Sequence, residues 1–336
     1  MAALLAGPRD PGGLAWGMLC ARVVSFSPDD PLTGLDVGDA PQPPAPDGWS
    51  VVDVRAASLN HHDLWSLRGV GLRAEQLPMV LGTDAAGVTA DGREVVVHAV
   101  VGGPDGRGVP ADEPRSLLSE RYPGTFAERV AVPAWNLVDK PAELSFVEAA
   151  CVPTAYLTAY RMLFRSGGAQ PGQRVLVQGA GGGVSVAAVQ LGAAAGLEMV
   201  VTGRDAAKRE RALALGAAQA VEPGARVGRV DVVLETVGRA TWEHSVRSVR
   251  PGGRVVVAGL TSGDPEPASL TRVFFQEISI VGATMGTRDE LGQVLAFLAR
   301  TGVRPLVDST YPLARAHEAL ARLASGAHVG KIVLEV

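Results

Sequence analysis

An apolar run, VLVQ, stops at Gly179, and GAGGGVS (Gly179–Ser185) follows it before a small-residue helical pattern begins. Glycines at a strand-to-helix turn let the backbone approach an anion, and the unpaired N–H groups at the helix start face that anion. The chemistry is that of a dinucleotide pyrophosphate, with Gly181, Gly182, Gly183 and Val184 as the residues to hold it. The strict G-x-G-x-x-G spacing is absent, since Val184 stands three residues after Gly181. The next apolar run closes in VVTGRDAAK, where a NAD-binding fold carries an acid for the ribose 2′-hydroxyl. Here the strand-end position is Gly203, then Arg204, with Lys208 one helical turn on and Asp205 as the counterweight. A missing acid with two cations in reach suits a 2′-phosphate, so the expected cofactor is NADPH.

Other side chains offer less. His61 and His62 are adjacent, and on a strand neighbours point to opposite faces, so they do not converge on a metal. His98 sits inside an apolar strand pattern and reads as a core histidine. Two cysteines, Cys20 and Cys151, cannot build a disulfide framework, and their scarcity fits a reducing, cytoplasmic compartment.

The elements that must position these residues follow from the rest of the chain. Its 336 residues suggest two domains. The 47% hydrophobic content excludes a disordered chain. A net charge of −4 with no basic run excludes a nucleic-acid footprint. Val175–Val201 is apolar and long, but its glycines and Gln178, Gln190 and Glu198 favour a buried strand, turn and helix over a membrane span. Residues 1–17 carry no periodic pattern and read as an extension ahead of a first strand, MLCARVVSF. WSVVDVRAASL and REVVVHAVVG are further strands. From Ser145, with Glu148 completing a capping box, helices alternate with short apolar strands, RVLVQG, EMVVTG, VDVVLETVG, GRVVVAGL and ISIVGAT. That alternation predicts an α/β fold with a doubly wound parallel sheet. The tail, GKIVLEV, is expected to return to the N-terminal domain.

The order and spacing of GAGGGVSVAAVQLG, VDVVLETVG, SVRPGGRVVVAGLTSG, GKIVLEV, AASLNHHDLWSLRG, LPMVLGTDAAGV and GTFAERVAVP resemble the medium-chain dehydrogenase/reductase superfamily. The resemblance implies a β-rich GroES-like substrate domain, residues 18–140 and 287–336, and a Rossmann NADPH-binding domain, residues 141–286. Ser185 stands where many members carry the last glycine of the turn, and helix–strand packing is the preferred reading of it. The positions of the superfamily's catalytic zinc ligands match Asn60, Thr83 and Thr154, none a good zinc ligand, so no metal is expected. The zinc-free branch resembled here reduces quinones and α,β-unsaturated carbonyls. LNHHDLW matches its N-x-x-D-x-Y pattern with Trp65 for the tyrosine. Asn60 would position the nicotinamide ribose or substrate, and Asp63 would brace the loop. Trp65 cannot donate a proton, which leaves His62 and Tyr156 as candidate acids. The resemblance further assigns Thr158, Thr236, Val237, Gly259, Leu260, Met285 and Lys331 to the cofactor. It implies a small apolar carbonyl or quinone substrate and a homodimer joined through VFFQEISIVGATM. An alcohol or aldehyde reductase, or an NADPH-binding protein without turnover, is the alternative.

Overall fold

The structure is a computed structural model. It describes the chain apart from residues 1–16, 104–108, 110–111 and 266–269, so the expected extension lies, except for Gly17, outside the described residues.

A hairpin of Met18–Val23 and Leu35–Ala40 begins the described chain. WSVVDVRAAS forms β1 (Trp49–Ser58), the spine of a seven-stranded sheet. Val52 and Val54 face the core while Arg55 faces out, the period of two that a half-buried strand requires. β2 (Asp84–Thr89) pairs antiparallel with β1 and sets Asp84 opposite Ser58. Between them α1 (His61–Leu67) starts at Asn60, whose N–H donates to Asp63 Oδ2 at 2.7 Å. The two histidines expected on a strand are therefore on a helix, because Asn60 and Asp63 close a capping box there.

From Arg174 the sheet is parallel. β3 (Arg174–Gln178), β4 (Glu198–Thr202), β5 (Gln219–Val221), β6 (Val230–Glu235), β7 (Val249–Val257) and β8 (Ser279–Gly282) lie in the order β5-β4-β3-β6-β7-β8. Val175, Leu176 and Val177 are all buried, since a strand covered on both faces needs an apolar run rather than alternation. α2 (Gly183–Ala194) and α3 (Ala206–Ala214) follow β3 and β4. α2 packs so tightly that a Cβ on Gly192 would stand 2.2 Å from Met199 Sδ. The helical pattern from Ser145 is present with its capping box, but it loosens into wider turns at Val152–Tyr156 and Arg161–Ser166. Pro153, which has no N–H to give, lies in the first of these.

VFFQEISIVGATM is not one strand. Only Ser279–Gly282 pairs with β7, and Phe274 and Phe275 end a short helix, Leu270–Phe275. A crossover between parallel strands needs an element on the sheet face, and the phenylalanines belong to it. α4 (Arg288–Thr301) and α5 (Ala316–Ser325) follow. β9 (Lys331–Glu335) then returns to the first sheet, with Leu334 opposite Ala57 of β1, the return that the tail suggests in sequence. Among the described residues no helix is long and apolar enough to cross a membrane.

Candidate active-site cleft

The chain order of the parallel sheet reverses between β3 and β6, the place where such sheets bind ligands beyond their carboxyl ends. Gly182 caps α2 there with no side-chain hydrogen bond, and a Cβ on it would meet nothing within 4 Å. The first N–H groups of α2, on Gly183 and Val184, thus face an open side. Gly179 reverses the chain at φ 95°, a left-handed conformation that favours glycine. Ser185 is buried, and its Oγ lies 3.5 Å from where a Cβ on Gly179 would stand. The serine fills the helix–strand contact, in line with its reading as a packing residue.

At the end of β4 a Cβ on Gly203 would stand 2.6 Å from Ala180 Cβ, so packing alone demands glycine. Arg204 is exposed, and among the described residues no hydrogen bond or ion pair occupies its side chain. Asp205 is turned into α3, where Oδ1 accepts from Lys208 N at 3.1 Å. Lys208 Nζ lies beside the glycine turn, 3.1 Å from a Cβ placed on Gly181, and donates to Gly326 O at 2.5 Å and His328 O at 2.9 Å, which ties α3 to the segment before β9. Arg209, passed over in the sequence, donates to Gly203 O at 2.7 Å and Arg204 O at 3.0 Å and holds the strand end.

Asn60, Thr83 and Thr154 do converge. Asn60 Nδ2 donates to Thr83 Oγ1 at 3.1 Å and to Asp84 Oδ2 at 2.9 Å. The Thr83 and Thr154 hydroxyls are 3.1 Å apart, and Thr154 Oγ1 donates to Asp84 Oδ1 at 2.5 Å. Ser58 Oγ also donates to Asp84, at 2.8 Å. Lys331 completes the cluster: Nζ donates to Leu59 O and Asn60 Oδ1, each at 2.6 Å, and sits 3.3 Å from Asp84 Oδ2. Asp84 is 0% and Lys331 3% exposed, so this is a buried ion pair with most lone pairs and protons used. One carboxylate, three hydroxyls and an amide around an ammonium do not fit zinc, which takes thiolate, imidazole and carboxylate ligands. Among the described residues no group of three or more His, Cys, Asp or Glu could hold a metal ion. Lys331 was expected at the cofactor, and its stem does pass the glycine turn, with Cδ 2.9 Å from a Cβ placed on Gly183.

Beyond the carboxyl ends of β7 and β8 opens a cavity of about 650 Å³. Trp65, Val100, Trp135, Val257, Gly259 and Leu260 line it, together with His98, Arg115, Arg161 and Arg288. His98, 5% exposed, donates from Nε2 to Gly286 O at 3.0 Å. Burial holds its pKa down to about 4, so it is neutral near pH 7.

Several expected residues lie elsewhere. Tyr156 is 0% exposed, donates to Gln190 Oε1 and accepts from Leu306 N at 3.0 Å. Burial pushes its phenol far above the ordinary value, and it is no proton donor to the cavity. His62 pairs with Glu120 Oε1 at 3.1 Å and is not on the cavity wall. Burial lowers its pKa, but the Glu120 bond and nearby carboxylates outweigh that and leave it raised. Met285 is buried in the N-terminal core, and Thr158 is buried on its helix. Asp63 braces the start of α1, and burial lifts its pKa to about 6. Thr236 and Val237, by contrast, follow β6 beside the glycine turn, with Val237 Cγ2 3.7 Å from a Cβ placed on Gly179, on a turn held by the buried Glu235, whose Oε1 accepts from Val237 N at 2.8 Å and Gly238 N at 3.0 Å. The sequence reading missed Asp84, Glu235 and the three arginines. Asp84 directly follows Thr83, and that adjacency was the available signal.

Two protein families match the chain: the alcohol dehydrogenase GroES-like domain over residues 46–142 and the zinc-binding dehydrogenase over residues 214–334. The zinc-type alcohol dehydrogenase-like protein C1773.06c of Schizosaccharomyces pombe is 31% identical over 318 residues, 86% of this chain and 91% of that protein. The acryloyl-coenzyme A reductase of Metallosphaera sedula is 30% identical over 327 residues, 90% of this chain and 96% of that one. A solved NAD-dependent alcohol dehydrogenase superposes with a TM-score of 0.86 at 32% identity, covering 95% of this chain and all 100% of that chain. A Rossmann sheet joined to a GroES-like domain and near-full-length relatives above the thirty-percent level lead to one conclusion: the chain belongs to the medium-chain dehydrogenase/reductase superfamily.

Proposed function

We propose that the protein is a zinc-independent, NADPH-dependent reductase of α,β-unsaturated carbonyls, either enones or enoyl thioesters, or of quinones. The observation that carries this reading is the Lys331–Asp84 cluster at the place of the metal ligands. Reduction of an isolated carbonyl leaves an alkoxide, which needs a Lewis acid or a matched proton donor at once. The titratable groups on the described cavity wall are a neutral histidine and three arginines, and none supplies that proton. A conjugated alkene asks for less. Held at Gly182–Val184, a reduced nicotinamide would supply a hydride to the β-carbon of such an alkene, leaving the charge on the enolate oxygen. Water then protonates the α-carbon of the enolate. The similarity to an acryloyl-coenzyme A reductase supports the substrate class.

The chain's own residues would divide the work. Gly182–Val184 offer N–H groups to the pyrophosphate, and Arg204 offers its guanidinium to the 2′-phosphate. Gly259 and Leu260 border the nicotinamide end, and Trp65 and Val257 wall off water. The test is NADPH consumption by the purified protein against matched enones, aldehydes and quinones. Turnover of enones or quinones without aldehydes is expected. Aldehyde turnover alone would overturn the reading, and no turnover with tight NADPH binding would favour a protein without catalysis.

The expected homodimer remains a proposal. β8 is an edge strand with Ile280 exposed, and Phe274 and Phe275 beside it are 63% and 75% exposed. Pairing β8 with its two-fold mate would continue the sheet and cover them. Light scattering at micromolar concentration should give twice the chain mass, and a monomer would exclude this.

A further inference from the structure

We propose that the cleft recognises a substrate carrying an anionic group, a carboxylate or a phosphate, held by Arg115 and Arg288. The inference rests on the cleft being the substrate site. Three arginines and no carboxylate line the cavity among the described residues, on a chain whose net charge is −4. Arg161 is engaged, since Nη1 lies 2.6 Å from Glu290 Oε2. The other two have donors to spare. Arg115 is exposed and makes one long bond, 3.3 Å, to Thr284 O. Its acidic near neighbour Glu113 is turned onto Arg121, 2.6 Å away, and Tyr122, and does not neutralise it. Arg288 lies 4.7 Å over the Trp135 ring and donates to Leu137 O at 3.1 Å. Its contact with Asp289 is long, at 3.5 Å, to a carboxylate that is 71% exposed. Its Nε is buried with no partner among the described residues. A guanidinium fixed over an aromatic ring keeps its fork of N–H donors presented, the geometry that binds carboxylate and phosphate in pairs.

The cavity is also lined by apolar side chains, among them Trp65, Val257 and Leu260. At about 650 Å³ the cavity exceeds a small enone and has room for an acyl chain with a charged end. The cleft thus offers apolar side chains to an acyl chain and guanidinium groups to a charged end.

Binding rather than turnover tests this, so that it and the catalytic reading can fail separately. S-butyryl-4′-phosphopantetheine, the same thioester without phosphate, and the dicarboxylate adipate are titrated into the full chain by calorimetry at low salt. At least one anion is expected to bind tenfold or more tighter than the neutral thioester, with an advantage that shrinks as salt rises. The phosphate compound winning assigns a phosphate-bearing thioester, and adipate winning assigns a free carboxylate. Arg115→Gln, at an exposed side chain with a single long bond, should cut the anion's advantage by about tenfold. Arg129→Gln, which removes a guanidinium paired with Asp53 away from the cavity, should leave it intact. Equal binding of charged and neutral compounds to the wild type, or equal loss of both in Arg115→Gln, overturns the proposal.

Discussion

Replacing Lys331 by methionine should destabilise the protein by about 3–5 kcal/mol, the range for removing one partner of a buried pair. Asp84 would stand at 0% exposure with its counter-ion gone. Ser58, Asn60 and Thr154 would still donate to it, but neutral donors do not offset a buried charge. Leu59 O and Asn60 Oδ1 would lose a donor as well. For a chain of 336 residues the loss corresponds to a fall in Tm of roughly 5 °C. Changing Asp84 to asparagine in the same chain should recover much of the stability, because the unpaired charge is then removed. A double-mutant cycle by denaturant unfolding reads the coupling. Additive single and double variants would mean that the two groups do not act as a pair.

Arg204→Ala should weaken NADPH by roughly tenfold to a hundredfold and leave NADH nearly unchanged. The 2′-phosphate carries about 1.5 to 2 negative charges near neutral pH. Hydrogen bonds to charged groups are worth about 1.5–3 kcal/mol, and each 1.4 kcal/mol is about tenfold. Arg204 has no partner to give up among the described residues, so the whole interaction is available to the phosphate. Asp205 beside it is engaged at the start of α3 and does not face the phosphate as a free acid. Lys208→Ala behaves differently. That ammonium supports the segment from Gly326 to His328, and Gly330 N in turn donates to Gly181 O at 3.0 Å. Its loss should therefore weaken NADPH and NADH alike. Paired titrations of both cofactors on the wild type and the two variants decide the matter. A wild type that prefers NADH, as the solved NAD-dependent neighbour is described, would overturn the role given to Arg204.

The sequence by itself determined what depends on near neighbours along the chain. The alternation of apolar strands and helices specified the parallel sheet, the capping box of Ser145 and Glu148 specified a helix start, and the glycines after β3 specified the turn where an anion can approach. Such signals arise from sterics and hydrogen bonds within a few residues, and they survive without knowledge of the fold. Where local signals competed, it misassigned elements. His61 and His62 follow an apolar strand but belong to the helix that Asn60 caps, and Phe274 and Phe275 have strand-like composition inside a crossover helix. The tertiary structure alone decided which side chains meet. Lys331 reaches Asn60 across 271 residues and Asp84 across 247 because β9 returns beside β1. The same return engages the Lys208 ammonium, and burial removes Tyr156 from proton transfer. Arg115, Arg161 and Arg288 are unremarkable along the chain, and they line one cavity only because segments far apart in sequence meet there.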